Sequence, residues 1–163
     1  MAFADQTDDA FLQDMLTSVN TYRAKHGAPA FVLDQQLTDY AKSRAALMAS
    51  RGKLDHTGLD PQYGENLYRS SSSAPTVGAA TGATQSWYGE NVHYDYISGT
   101  SKDGGAIGHF TQLVWKGTTK IGAGRVYGLE EGTTWYRTYI VAIFSPPGNM
   151  QGEYVANVSP PQA

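Results

Sequence analysis

The chain has 163 residues, 40% of them hydrophobic, with a formal net charge of −3 and no cysteine. That length suits one domain, 1–163, with a core of its own, and the scattered charges leave no basic face for nucleic acid. Disulfides, thiolate metal sites and thiol nucleophiles are excluded, and no apolar run approaches the roughly eighteen residues of a membrane span.

Met1-Ala2-Phe3-Ala4 lacks the glycine that N-myristoylation needs, and its small-x-small pattern resembles the end of a cleaved leader. Thr7-Asp8-Asp9 then offers a cap and negative charge for a helix start. Phe11, Leu12, Met15, Leu16, Val19 and Tyr22 recur at three- and four-residue steps, so an amphipathic helix is expected to about Lys25. His26-Gly27 ends it and Pro29 prevents continuation, which makes His26 a structural residue of the joint. A second helix is expected from Asp34 to Gly52, with Leu37, Tyr40, Ala41, Ala45 and Met48 on one face. Residues 53–68 read as irregular and Ser70-Ser71-Ser72-Ser73-Ala74-Pro75 as a polar loop.

A third helix is expected from about Thr76 to Trp87-Tyr88, and its small first half implies a closely packed neighbour. The stretch from Tyr94 to Gly105 reads as a glycine-bearing loop with exposed aromatics, the profile of a functional loop. In Gly108-His109-Phe110-Thr111-Gln112-Leu113-Val114-Trp115 a short helix buries Phe110, Leu113 and Val114 and leaves His109 at the rim of the core. Lys120 to Tyr127 reads as a strand whose glycines allow close approach, and Trp135 to Phe144 as a long strand stopped by Ser145-Pro146-Pro147-Gly148-Asn149. Helices first and mostly antiparallel strands afterwards make an α+β fold. Asn157-Val158-Ser159 is a glycosylation sequon followed at once by Pro160.

The chemistry-bearing residues are His56 before a turn, Glu65 in Tyr-Gly-Glu-Asn, Glu90 at a helix end and His109 at a helix start. Two imidazoles with two carboxylates suit zinc or another divalent cation, because neutral nitrogen and anionic oxygen donors combine in such sites. The separations are long and no His-Glu-x-x-His occurs, so spacing leaves their convergence open. Gly-x-Ser-x-Gly is absent, and no residue is assigned as catalytic.

Tyr63-Gly64-Glu65-Asn66-Leu67, Trp87-Tyr88 with Glu90, the Gly108–Trp115 stretch and Tyr139-Ile140-Val141-Ala142-Ile143-Phe144-Ser145-Pro146-Pro147-Gly148-Asn149 follow one another in this order. Together they resemble the CAP superfamily of cysteine-rich secretory proteins, antigen 5 and pathogenesis-related class 1 proteins. The likeness covers about Phe11 to Asn157, nearly the whole chain. It implies a three-layer α-β-α sandwich around a mostly antiparallel sheet, with a central cleft where His56, Glu65, Glu90 and His109 form the family's tetrad and take a divalent metal, zinc above all. Secretory members usually carry cysteines where Ala123 and Ala142 stand, so the chain resembles the cysteine-free Golgi-associated branch, although its length, its Ala-Phe-Ala start and Ser145-Pro146-Pro147-Gly148-Asn149 look more like a secreted fungal member.

The resemblance implies a non-enzymatic secreted carrier of sterol or fatty acid, with peripheral contact to a membrane surface. For sterol, Tyr94 and Tyr96 match the first two places of an aromatic-x-aromatic-x4-aromatic pattern, the third place is Ser101, and Ile97 and Ile107 supply apolar surface. For fatty acid, a groove between helices would be lined by Leu16, Val19 and Tyr22. The alternatives are a metal-dependent hydrolase, with a zinc-activated water and a glutamate base, and a protein-interaction or effector module.

Overall fold

The computed structural model describes residues 3–162; Ala2 of the leader-like start lies outside them. The first helix, α1, runs Asp9–Lys25, and the Asp8 carboxylate accepts the Phe11 N–H at 2.8 Å to cap it. The second, α2, runs Gln35–Arg51, capped by Asp34 and closed by Gly52 at φ 71, a left-handed position suited to glycine. Between them Val32–Leu33 forms the short strand β2.

A five-stranded sheet carries the fold. Its main path is β1 (Ala4–Asp5), β6 (Lys120–Leu129), β7 (Tyr136–Ser145) and β3 (Gly64–Ser72), all antiparallel, with β2 pairing parallel to the start of β6. Period-two alternation along β7 sends Tyr139, Val141 and Ile143 to one face and Ile140, Ala142 and Phe144 to the other. The first face packs on α2 through Leu37, Ala41, Ala45 and Met48. The second packs on α1, on α3 (Ala80–Gly89) and on α4 (Gly108–Leu113) through Met15, Val19, Ala83, Trp87 and Phe110. The result is the three-layer α-β-α sandwich.

Glycine decides how close α2 lies to the sheet. A Cβ on Gly124 would sit 2.6 Å from the Lys42 Cα, and one on Gly122 would collide with the backbone of Leu37 and Thr38. On the other face Ala123 stands directly opposite Ala142 across β6 and β7, and both are fully buried.

Three expectations are corrected. Residues 64–72 form β3, paired with β7 along its whole length, although their polar second half reads as loop; as an edge strand β3 exposes Arg69 and Ser71 while Glu65 to Leu67 are buried. Helix α3 begins at Ala80, four residues later than expected. The stretch after it is a 3₁₀ turn (Glu90–His93) leading into a hairpin of β4 (Tyr94–Asp95) and β5 (Thr100–Ser101). A last short helix, α5 (Tyr154–Asn157), precedes the buried Val158.

Candidate functional site

The site lies where the edge strand β3 meets both helical layers. Consecutive residues of a strand point to opposite faces, so Glu65 reaches the α2 side and Asn66 the α4 side. The Glu65 side chain is fully buried. Its Oε1 accepts the His56 Nδ1 proton at 2.8 Å and an Arg44 Nη2 proton at 2.9 Å, while Oε2 accepts from Arg44 Nε at 2.7 Å. Burial alone would raise the Glu65 pKa; the bonds from His56 and Arg44 outweigh it and hold the carboxyl below the ordinary glutamate range. Arg44 is held above its ordinary value by the same carboxylate, against the pull of burial.

The second arm comes from the end of α3 and the start of α4. Glu90 Oε1 accepts the backbone N–H of His109 at 2.8 Å and of Phe110 at 3.1 Å, and Oε2 accepts from His109 Nδ1 at 2.7 Å. The carboxylate thus serves the first turn of α4 and orients its histidine. Burial works to raise the Glu90 pKa, yet the His109 and backbone bonds keep it below the ordinary range. Trp87 lies nearly parallel to the His109 ring, with centroids 6.5 Å apart. Asn66 Nδ2 donates to the His109 carbonyl at 3.0 Å.

A cleft of about 250 Å³ joins the two arms, lined by His56, Glu65, Asn66, Ala106, Gly108, His109 and Asn149. Glu90 stands behind His109 outside that lining. Among the described residues no group of three or more His, Cys, Asp or Glu side chains is arranged to hold a metal ion. Of the four expected ligands the structure brings His56, Glu65 and His109 to one cleft with Glu90 behind them; each carboxylate already accepts three hydrogen bonds, and the nitrogen that each histidine leaves toward a cation is Nε2. Neither Nε2 has a hydrogen-bond partner among the described residues, while each Nδ1 is tied to its glutamate. That donor set fits a cation held by two imidazoles with the carboxylates behind them, an arrangement common around metals.

Arg44, Asn66 and Asn149 were assigned no role in the site from the sequence. Asn149, at φ 56, accepts from Thr111 Oγ1 at 2.6 Å and donates to the Gly108 carbonyl at 2.9 Å, fixing one wall. Arg44 carried a usable signal. It sits four residues from Tyr40 and from Met48, inside the apolar stripe of α2, where an arginine needs a buried partner.

The residues expected to meet lipid separate. Tyr94 is 1% exposed, packed against Tyr96 and Phe110, so the expected outward aromatic face is corrected. Tyr96 and Ile107 are partly buried against the same core, whereas Ile97 is 91% exposed at the hairpin tip. The groove of about 380 Å³ beside α1 is lined by Asp14, Thr17, Ser18, Thr21, Lys25 and Thr81 with Tyr22. Val19 lies wholly in the core instead of on that wall, and Leu16 is half-buried outside it. No helix among the described residues is long and apolar enough to cross a membrane.

The model of the CAP, cysteine-rich secretory protein family matches residues 16–144. The chain belongs to the CAP family. Pathogenesis-related protein 1A of Nicotiana tabacum is 36% identical over 86% of this chain and 78% of its own length. Secreted protein RBT4 of Candida albicans is 36% identical over 92% of this chain, but the chain spans only 38% of that protein. Among solved structures, that of BmVAL-1 covers 99% of this chain and 89% of its own, at a TM-score of 0.72 and 22% identity. This CAP sandwich is thus shared with proteins whose sequences have diverged widely.

Proposed function

We propose that the chain is a secreted, non-enzymatic CAP binding module whose cleft takes one divalent cation, zinc foremost, through His56 Nε2 and His109 Nε2. One observation carries it: each histidine has its Nδ1 pinned by its own buried or half-buried carboxylate, and both rings line one cleft. Pinning Nδ1–H leaves Nε2 unprotonated and ready to donate an electron pair. A bound zinc would supply Lewis acidity and a fixed positive charge. The chain's own residues favour holding over turnover. A general base works best with a pKa near the operating pH, and Glu65 and Glu90 are held below the ordinary carboxylate range by their partners. Among the described residues no serine or threonine hydroxyl bonds either imidazole, as a nucleophile would. Kinship with secreted RBT4 and with plant pathogenesis-related proteins supports an extracellular site of action.

Calorimetry on chelator-treated protein at pH 7.5 tests the reading. Zinc should bind at a single site and raise the melting temperature, and His56→Ala and His109→Ala should each abolish both effects. Zinc binding unchanged in both variants would sink the proposal.

A second reading, contact with a sterol or membrane lipid, is favoured by Ile97. It stands at the hairpin tip, and beside it the half-exposed Val155 packs close to Gly99. Burying one isoleucine gains about 1.5–3 kcal/mol, short of the roughly 4 kcal/mol that a millimolar affinity requires. Val155 and the edge of Tyr96 must therefore share the contact, and the binding is weak.

A further inference from the structure

The two arms of the cleft are anchored unequally. Glu90 is fixed by three bonds within its own neighbourhood, two of them from the backbone of α4, so His109 inherits the rigidity of a helix. His56 lies in a stretch with no helix or strand, and its side chain is 58% exposed. Its position has to be imposed from outside.

Arg44 reaches that stretch from the buried face of α2. Besides its two bonds to Glu65, its Nη1 donates to the Thr57 carbonyl at 2.8 Å and its Nη2 to the Asp55 carbonyl at 3.4 Å. Thr57 and Asp55 are the neighbours of His56 on either side. One planar guanidinium therefore grips the carboxylate that orients the imidazole and the backbone that carries it. A lysine ammonium has no such fork and cannot make the same set of bonds. Arg44 itself is 3% exposed and does not line the cleft, so it touches no ligand there.

We infer that Arg44 is the positioning residue of the cleft: it sets both the place and the tautomer of His56, and thereby the affinity of the site for a divalent cation. This inference rests on the reading of the cleft as a cation site. Removing outer partners of metal-binding histidines typically weakens affinity about 10–100-fold, and the same range is expected here. His109, held by Glu90 and Asn66, is outside the reach of Arg44 and serves as an internal reference.

The test uses the full chain, unchanged and as Arg44→Lys and Arg44→Met. Arg44→Lys retains the charge beside Glu65, so it guards against a variant that merely fails to fold. Imidazole ¹⁵N shifts are recorded at pH 8 on the metal-free proteins, and zinc affinity is then measured by calorimetry. In the unchanged protein His56 should carry its proton on Nδ1. In Arg44→Lys it should become a mixture of tautomers while His109 keeps its spectrum, and zinc affinity should fall at least tenfold. An unchanged His56 tautomer in Arg44→Lys would overturn the positioning role. So would a shifted tautomer with undiminished zinc affinity. Absence of zinc binding by the unchanged protein would instead refute the cation reading, and the metal-free spectra would still decide whether Arg44 governs His56.

Discussion

Arg23 shows what a single buried charge demands. It is fully buried on α1, where Nε donates to the Pro29 carbonyl at 2.7 Å, Nη1 to those of Leu113 and Trp115 at 3.0 and 2.9 Å, and Nη2 to that of Thr118 at 3.0 Å. The guanidinium also lies 3.7 Å from the centroid of the Phe31 ring. Burial pulls its pKa down to about 9, which leaves it charged at neutral pH. Carbonyl oxygens replace a counter-ion here, and they tie α1 to the turn that follows α4, hence to the segment behind His109. Arg23→Met would leave several buried carbonyls without a donor, each costing about 1–3 kcal/mol. Denaturant unfolding should show a loss of at least about 3 kcal/mol, and Arg23→Lys should recover only part of it. A loss below about 1 kcal/mol for Arg23→Met would show that water replaces the ion freely. Arg23 and Arg44 share a legible feature, since each falls on the apolar stripe of its helix, at Val19+4 and Tyr40+4.

At the scale of elements, the sequence was most readable where the period was strong. The limits of α1 and α2 follow from their stripes and from Asp8, Asp34 and Gly52, and β6 and β7 from their β-formers. β3 was hidden because an edge strand with a solvated end needs no apolar alternation beyond Leu67, so Arg69 to Ser72 look like loop. The hairpin was hidden for another reason. Its closure is polar: Asp95 Oδ1 accepts from the Ile97 N–H at 2.9 Å, Asp103 Oδ2 pairs with His93 Nδ1 at 2.7 Å, and Gly99 turns at φ 73. Those bonds let Tyr94 swing inward while Ile97 is held out. His56, Glu65, Glu90 and His109 could be named from the family resemblance, but the grip of Arg44 on Glu65 and of the α4 backbone on Glu90 could not, because those partners are distant in sequence. The hairpin then gives a specific expectation for lipid. Ile97→Asp should reduce binding of a fluorescent sterol about tenfold or more, whereas Tyr94→Phe, which only removes a buried hydroxyl without a partner, should leave it unchanged. Equal binding by Ile97→Asp and the unchanged protein would remove the hairpin from consideration.

At the scale of the whole molecule, the segment 158–162 returns to the end of the first helix and closes the α1–α3–α4 layer from below. Val158 is buried, Gln162 donates its N–H to the Lys25 carbonyl at 2.7 Å, and His26 joins the segment to α3. His26 is 1% exposed. Its Nδ1 lies 2.8 Å from the Ser159 carbonyl, which can only accept, so that nitrogen carries the proton. Its Nε2, 2.8 Å from the Tyr88 hydroxyl, then accepts in the neutral ring. The ring packs against Phe110, Tyr88 and Tyr96 with Lys25 nearby, and no carboxylate among the described residues bonds to it. Burial is the main cause holding its pKa below the ordinary histidine value of 6.5, Lys25 adds to the effect, and the Ser159 bond opposes it. A folded pKa below the unfolded one means that the unfolded chain binds the proton more readily. The contribution of His26 is therefore fully present above pH 6.5 and is lost as pH falls through the folded value. Unfolding free energy should decline from pH 7 toward pH 5, and a part of that slope should vanish in His26→Asn, measured on metal-free protein so that metal release does not contribute. Tyr88→Phe, which removes the hydroxyl at Nε2, should weaken the neutral form and lower the plateau above pH 7. A slope identical in the His26→Asn and unchanged proteins would place the acid sensitivity elsewhere and leave His26 a packing residue alone.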